Sequence, residues 1–591
     1  MNTPHDTYAL LGAFVDELAR CGMRDACTSP GSRSAPLVLS LTAERRLRCH
    51  SHVDERCAGL FALGLAKASG LPVAIACTSG TAVAELLPAV VEAHEARVPL
   101  IVLSADRPPE LREVGAGQTI DQLKIFGGFA KWFFEVGTHE ATPERLRWIR
   151  TLACRAWWTS LEGRPGVVHL NFPLREPLVC EQMPVAGEGR ADGGPFLRRT
   201  DARPGTLSLR EALGEARRGV IVAGRHERDT PLGEAAAAAS EVLGWPLLAD
   251  PMSGARRGDA AIAHYDALLR DEGFAREHTP DLVLRVGDFP VSKPLRTWLA
   301  SLGDVRQVAL DPEGAGQDPA SVVCESLALD PAGALRALVG LLATSAHTQR
   351  SSEGANQARE ADRDWLGAWR SADELAAEAI LGVLGASGCS EPVVAAELGV
   401  LLPSEATLFV ASSMPVRDIE TFWPVRADPP RVLCNRGANG IDGTVSSAFG
   451  AAAASAGPVV LLIGDVALAY DLSALLAARR LDLKLTIVLL NNEGGGIFDF
   501  LPVAGAASAK DAFTEHIATP PGLDFARAAA LYGLEHETVG DVAGLRLALE
   551  RALAGSDSAL VEVRGERAAN VQLHRRVWDA VAGALSGPGP R

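Results

Sequence analysis

The run PVVLLIGDVALAYDLSALLAARRLDLKLTIVLLNNEGGGIFDFL, residues 458–501, decides the fold. Its apolar segment 459–463 reads as a buried strand, Gly464-Asp465 as that strand's end, and the Ala/Leu-rich stretch 468–480 as a helix. A second apolar strand, 485–490, ends in Asn491-Asn492-Glu493 and the glycines Gly494, Gly495 and Gly496. Strand, helix and strand in this order form a βαβ unit, which sets both strand ends on one edge of a parallel sheet. Ligands bind beyond such ends. Asp465 and Asn492, far apart in sequence, therefore converge beside bare glycine backbone. A carboxylate and an amide oxygen in that setting suit a magnesium ion holding a diphosphate, with phosphate and water completing the shell. The plainer reading is an ordinary crossover with a polar strand end.

The same order recurs near the other end of the chain. Residues 72–77 read as a strand, Thr78-Ser79-Gly80 as a turn, 82–96 as a helix and 99–104 as a second strand. Glu55 precedes Thr78 at nearly the spacing by which Asp442 precedes Gly464. This is a weak internal duplication, two similar α/β domains at the two ends, set against chance likeness of two βαβ units.

Between these landmarks the chain offers polar loops wherever a strand ends. A strand at 26–28 leads into Ser29-Pro30-Gly31-Ser32-Arg33-Ser34, either a plain turn or a loop that brings backbone and Arg33 to an anion. His52-Val53-Asp54-Glu55-Arg56 enters an apolar helix at 58–68; Asp54 suits a cap, and Glu55 is harder to explain that way. Asp106-Arg107-Pro108-Pro109 and Gly115-Ala116-Gly117-Gln118 follow the 99–104 strand, and 167–171 is the last strand of the domain. Residues 181–206 read as a linker. Strands at 219–223, 246–249, 282–286 and 305–310 form a central region with no G-x-G-x-x-G, so a dinucleotide site is unsupported. Ser292-Lys293-Pro294 follows one of those strands. Residues 345–364 read as linker plus the start of a charged helix, and a third domain begins near Trp365. There 408–411 is a strand ending in Ser412-Ser413-Met414-Pro415-Val416-Arg417. The glycine-rich Asn435-Arg436-Gly437-Ala438-Asn439-Gly440-Ile441-Asp442-Gly443 precedes a small-residue helix. The expected fold is α/β in three domains, 1–182, 205–345 and 365–591, each a mainly parallel sheet flanked by helices, with the first and third duplicated.

Composition narrows the function. A chain of 591 residues is too long for one core, and 47% hydrophobic with 22% charged residues is ordinary for a folded protein. A net charge of −16 argues against nucleic acid as a partner, and it means that any bound anion must be met by local arginines. Ten cysteines, scattered without a C-x-x-C pair, fit a reduced cytoplasmic compartment. The first residues lack a basic segment followed by an apolar core, so no signal peptide is expected. No long uncharged apolar run is present, so no membrane span is expected either.

Assembled, these blocks resemble the thiamine diphosphate enzymes, and within them the 2-succinyl-5-enolpyruvyl-6-hydroxy-3-cyclohexene-1-carboxylate synthases of menaquinone biosynthesis. The resemblance rests jointly on Ser29–Ser34, His52–Arg56, Ser104–Leu111, Asn435–Gly443 and the Asn491–Phe498 block. Val466 stands where the wider group usually has the third residue of Gly-Asp-Gly. The resemblance implies a pyrimidine-binding first domain, a central domain and a diphosphate-binding third domain. It further implies a homodimer or homotetramer with active sites at the subunit interface. Glu55 matches the carboxylate that acts on the cofactor's pyrimidine ring, reaching across that interface, and Ile441 matches the apolar wedge that folds the cofactor. Gly464, Asp465 and Asn492 match cofactor contacts, with Asp465, Asn492 and the Gly494 carbonyl on magnesium, manganese being the alternative. The implied substrates are 2-oxoglutarate and isochorismate, both dianions. Arg33, Arg107, Lys293, Arg417 and Arg436 match anion-binding positions, and Ser32, Gln118 and Ser413 match hydrogen-bond partners. Arg33 and Gln118 are grouped with Glu55 as catalytic, and Ile497, Phe498 and Leu501 match apolar lining. Two rivals stay open: an acetolactate-synthase-like decarboxylase, which would share Glu55, Asp465 and Asn492 but not the arginines, and a non-catalytic binding relative.

Overall fold

Three wholly parallel sheets carry the chain in this computed structural model, which describes residues 3–181, 184, 189–197, 207–214, 216–226, 231–348 and 353–586. The first sheet contains β1 (Asp25–Thr28), β2 (Arg48–Ser51), β3 (Val73–Cys77), β4 (Leu100–Asp106), β5 (Ala130–Glu135) and β6 (Val167–Pro173). The second contains β7 (Gly219–Ala223), β8 (Leu247–Ala249), β9 (Leu282–Val286), β10 (Arg306–Leu310) and β11 (Glu325–Leu327). The third contains β12 (Thr407–Val410), β13 (Arg431–Cys434), β14 (Val459–Gly464), β15 (Thr486–Asn491), β16 (Glu535–Val539) and β17 (Ala559–Arg564). The first sheet runs β2-β1-β3-β4-β6-β5 and the third β13-β12-β14-β15-β17-β16. Strand for strand this is one topology used twice, as the internal duplication predicts.

The interior strands are apolar and fully buried because helices cover both faces of a parallel sheet. Register then sets the functional edge. Gly464 pairs with Leu490, so Asp465 lies level with Asn491 and beside Asn492. Cys77 pairs with Ser104, which puts the Thr78-Ser79-Gly80 turn beside Ala105, Asp106 and Arg107.

Two expected helices are broken. The one expected at 468–480 begins earlier, at Asp465, where the Val466 amide donates to Asp465 Oδ1 across 2.9 Å. It continues as three short pieces, Asp465–Tyr470, a 3-10 turn Leu472–Leu475 and Leu476–Arg480. The interruption falls at Asp471, whose buried carboxylate is taken by the Ser446 amide at 2.8 Å and by Arg56 at 3.3 Å. The helix expected at 82–96 splits into Thr81–Ala84 and Leu87–Ala96, because Pro88 has no N–H to continue the ladder.

The compact units do not follow the three sheets. The described residues within 1–202 pack with 435–456 and 470–485 as one unit; the second and third sheets belong to the other. The cause is the small-residue helix Thr444–Ala454, which lies on Glu55–Ser69. A Cβ added to Gly64 would stand 1.9 Å from the Ser447 carbonyl oxygen, and one on Gly450 would stand 2.0 Å from that of Phe61. The expected third domain, 365–591, is thus shared between the two units. Trp365, expected to open it, instead donates its indole N–H to the Gly219 carbonyl of the second sheet across 2.9 Å. Its helix, Glu353–Leu384, already occupies much of the expected 345–364 linker. Most of the 181–206 linker lies outside the described residues.

Candidate active site

Each unit presents one chemically distinct set of strand ends. In the third sheet, β14 stops at Gly464 and leaves Asp465 buried at the sheet edge. Its carboxylate accepts the Gly494 amide at 2.8 Å on one oxygen and the Val466 amide on the other. Burial nevertheless pushes Asp465 up to about 6, offset in part by those amides. Beyond β15, Asn492 turns its amide nitrogen to Glu391, donating to Oε1 across 2.7 Å. Asn492 Oδ1 is left buried with no hydrogen-bond partner. Gly494 holds φ 134°, and a Cβ there would meet the Ala518 carbonyl at 2.7 Å. Only glycine keeps that backbone close to Asp465. A destabilised carboxylate and an orphaned amide oxygen are hard-oxygen donors, so these residues fit a divalent ion carrying a diphosphate. Arg567 Nη1, also buried and unpartnered, lies 3.0 Å from where a Gly494 Cβ would stand and adds positive charge there.

The same unit holds a cavity of about 410 Å³ whose wall joins the second and third sheets' helices. Lys293, Arg296, Arg417 and Arg575 supply positive charge, while Ile497 and Leu501 supply apolar surface. Lys293 starts the helix Lys293–Ser301 behind its cap Ser292, and Arg417 rides on Met414–Phe422. Arg417 Nη1 donates to the Ser413 carbonyl at 2.5 Å, and Ser413 adopts φ 75°. Phe498 is not on this wall; it packs on Gly495, whose added Cβ would lie 2.8 Å from the ring. On the cavity wall, His574 Nε2 pairs with Asp418 Oδ1 at 2.9 Å. Burial pushes His574 down, but the Asp418 hydrogen bond and charge more than offset this, and its value is raised.

The first unit's edge is cationic. Arg33, in the loop after β1, is buried; Nη1 donates to the Leu174 carbonyl at 2.8 Å, Nη2 reaches Glu176 at 3.0 Å, and Nε has no partner. Arg107, after β4, donates to the Ser79 hydroxyl, which in turn donates to the Gln118 carbonyl at 3.0 Å. Burial, with Arg33 adding repulsion, pushes Arg107 below the usual guanidinium value. Gln118 sits at φ 55° with its side chain exposed, and Ser32 is exposed. Glu55 opens the helix Glu55–Ser69 behind the Asp54 cap, half-buried. Burial and then the Asp54 and Glu85 charges raise it. Arg436 and Ile441 also belong to this unit: their loop is pinned where the Gly437 and Ala438 amides donate to the Glu92 carboxylate at 2.9 and 2.7 Å.

The structure therefore brings Asp465, Asn492 and Gly494 together, lines one cavity with Lys293, Arg417, Ile497 and Leu501, and gathers Arg33, Arg107 and Gln118 at the first sheet's edge. Sequence reasoning missed Glu391, Asp418 and His574. Glu391 begins the helix Glu391–Leu401, where a carboxylate reads as an ordinary helix-start residue, and nothing nearby in sequence signals its partner. Ser79 was legible only as a turn.

Comparison with known proteins agrees along the whole chain. Residues 10–125 match the family model "Thiamine pyrophosphate enzyme, N-terminal TPP binding domain". Residues 195–410 match "Middle domain of thiamine pyrophosphate", and 416–563 match "Thiamine pyrophosphate enzyme, C-terminal TPP binding domain". The 2-succinyl-5-enolpyruvyl-6-hydroxy-3-cyclohexene-1-carboxylate synthase of Chloroflexus aurantiacus is 43% identical, over 98% of this chain and 97% of that protein. The enzyme of the same name from Geobacillus kaustophilus is 43% identical over 96% and 97%, and that of Listeria monocytogenes 39% over 97% of each.

Proposed function

The chain belongs to the 2-succinyl-5-enolpyruvyl-6-hydroxy-3-cyclohexene-1-carboxylate synthase family of thiamine diphosphate enzymes, and from that premise we propose its substrates and the work of its residues. It decarboxylates 2-oxoglutarate and adds the resulting succinyl unit to the ring alkene of isochorismate, a 1,4-addition on the way to menaquinone. Bound thiamine diphosphate supplies the electron sink that allows a 2-oxo acid to lose carbon dioxide. Asp465, Asn492 Oδ1 and the Gly494 carbonyl would hold its magnesium, with manganese able to substitute, and Gly464 would leave room for the diphosphate. The orphaned Asn492 Oδ1 beside a destabilised Asp465 is the observation that carries this reading.

Glu55 would hydrogen-bond the cofactor's pyrimidine ring and hold a proton there. Its raised value suits a carboxyl that shares a proton with that ring. Ile441 would give the bound cofactor apolar support. Four substrate carboxylates need charge-assisted partners, and Arg33, Arg107, Lys293, Arg417 and Arg436 provide them, with Ser32, Gln118 and Ser413 as further donors. Ile497, Phe498 and Leu501 shield the reacting carbons from water. Active sites form between subunits of a homodimer or homotetramer in the cytoplasm; among the described residues no helix is long and apolar enough to cross a membrane.

The test is a turnover assay with both substrates, following carbon dioxide release and isochorismate loss together. Stoichiometric loss of isochorismate is expected. Efficient use of pyruvate in place of 2-oxoglutarate, or carbon dioxide release without isochorismate consumption, overturns the assignment in favour of an acetolactate-synthase-like enzyme.

A further inference from the structure

Away from both edges, the first unit holds two cysteine sulfurs in contact. Cys21 ends the helix Pro4–Cys21, and Cys154 lies within Pro143–Leu161. The Cys21 thiol donates to Cys154 Sγ across 3.7 Å, and the Cys154 thiol donates to Glu17 Oε1 across 3.5 Å. Glu17 is fully buried, with Arg150 Nη1 at 2.9 Å and the Phe196 amide at 2.5 Å on its carboxylate. The Leu197 amide points at Cys154 Sγ as well. Sulfur, sulfur and carboxylate thus form one chain of hydrogen bonds, capped by donors from the 189–197 segment.

We propose that Cys21 and Cys154 are a reversible thiol–disulfide site that staples the first helix to Pro143–Leu161 when a small peroxide is present. Cys154 is buried and Cys21 only partly so, which leaves an approach from the Cys21 side for a small oxidant. The Cys154 thiol sits on the Glu17 carboxylate, which can take its proton, whereas the Cys21 thiol donates to the other sulfur, so Cys154 is the nucleophile and Cys21 the resolving thiol. The step balances. Glu17 takes the Cys154 proton; the sulfur attacks one peroxide oxygen, the O–O bond breaks, and the departing hydroxide takes that proton to become water. Cys21 sulfur then attacks the sulfenic sulfur, the S–S bond forms, the S–O bond breaks, and the Cys21 proton leaves with that oxygen as a second water. Two thiols are oxidised and one peroxide is reduced.

The same three side chains could be taken for a metal cluster, but the Glu17 carboxylate is already held by a guanidinium and an amide, which compete with any cation. Bond formation requires closing the gap to about 2.05 Å, within reach of side-chain rotation. Phe14, Ile149 and Trp157 hold the two helices in one apolar core.

The experiment treats the full-length chain with a small excess of hydrogen peroxide, blocks remaining thiols by alkylation and maps unreduced peptides by mass spectrometry. The expected result is a peptide pair joined through Cys21 and Cys154, two fewer alkylatable thiols, and return of both on adding dithiothreitol. The linked residues enclose a separation of 133 positions, so the oxidised chain should also unfold at a higher temperature than the reduced one. In Cys21→Ser the linked pair should vanish and Cys154 should be trapped by dimedone as a sulfenic acid. The proposal is overturned if both thiols of the unsubstituted protein stay alkylatable at peroxide doses that oxidise the exposed Cys324. It is equally overturned if Cys154 passes to sulfinic acid without the cross-link.

Discussion

The first and third sheets share one strand order yet end in opposite chemistry. After β1 and β4 the first sheet presents Arg33 and Arg107, both buried and both guanidinium. In the third sheet, β15 matches β4 and is followed by Asn492, while β14, the counterpart of β3, is followed by Asp465, so an amide and a carboxylate stand there. Topology fixes where a strand end emerges; the residue placed there decides what it binds. One strand order thus carries two chemistries, cationic at one edge and oxygen-donating at the other, which fits the proposed division between substrate carboxylates and a cation carrying phosphates. The segments after β1 and β12 keep a common trait, since each carries a serine and an arginine, Ser32-Arg33 in a loop and Ser413 with Arg417 of the following helix.

If that division of labour holds, the largest effect should come from Glu55, the one carboxylate proposed to act on the cofactor from the cationic copy. Glu55→Gln keeps the helix start but removes the shared proton, and turnover should fall by about 10²- to 10⁴-fold with cofactor still bound. Near-normal turnover in this variant would remove Glu55 from the chemistry. Asp465→Ala, in the acidic copy, should act on binding instead: thiamine diphosphate titrations should shift strongly, and excess magnesium and cofactor should recover part of the activity. An unchanged titration curve would mean that the acidic edge does not hold the metal.

Substitutions of the arginines sharpen the contrast. Alanine at Arg33 or Arg417 should raise the KM for one dianion by roughly ten- to a hundredfold, the loss of about 1.5–3 kcal/mol in charge-assisted bonding, while leaving cofactor affinity alone. A variant that loses cofactor but keeps 2-oxoglutarate affinity would contradict the assignment. Glu391 tests a smaller, indirect contribution. Its Oε1 accepts the Asn492 amide N–H and so leaves Oδ1 free for the proposed metal. Glu391→Ala should weaken Mn²⁺ binding, read by electron paramagnetic resonance with thiamine diphosphate present, by about tenfold or more. Glu391→Gln, which keeps an acceptor oxygen, should restore most of it. Equal loss in both variants would mean that the carboxylate matters for something other than turning the amide.

How much of this was legible before the structure depends on burial. The central strands announce themselves because both faces are covered: Val73–Cys77, Val459–Gly464 and Thr486–Asn491 are apolar almost throughout. The strands that sequence reading overlooked are Arg48–Ser51, Ala130–Glu135, Glu325–Leu327, Arg431–Cys434 and Glu535–Val539, and each lies at the edge of its sheet. An edge strand has a neighbour on one side only, so residues such as Arg48, Lys131 and Glu535 are tolerated and the apolar signal fades. The site follows the same logic. Asp465, Asn492, Arg33 and Arg107 follow recognisable strands, whereas Glu391 is brought to Asn492 only by tertiary packing. The helix Thr444–Ala454 gave no sign that its glycine and alanine face would seat it on Glu55–Ser69.

Acid provides the finest separation of the two copies, because their buried histidines are built in opposite ways. In the first unit, burial pushes His52 down to about 4 and His169 down to about 3. His169 sits inside the sheet, with Nε2 at 2.7 Å from the Ser104 hydroxyl and no carboxylate partner among the described residues. Both folded values lie below the unfolded one of about 6.5. The folded unit therefore binds fewer protons than the unfolded chain across that interval. These two groups contribute stability above pH 6.5 that is lost as pH falls toward 4 and 3, with a slope of up to about 1.4 kcal/mol per pH unit for each. His574 in the other unit has a raised folded value, so its contribution is fully present below 6.5 and is lost as pH rises through that raised value. Lowering the pH from 7 to 5 should therefore weaken the first sheet while the His574–Asp418 pair tightens. Hydrogen exchange followed by mass spectrometry should show peptides of β1, β3, β4 and β6 losing protection before those of β12, β14, β15 and β17. His169→Gln should flatten part of that acid response. Simultaneous loss of protection in both sheets, or an acid profile unchanged by His169→Gln, would show that the buried histidines do not set the difference between the two copies.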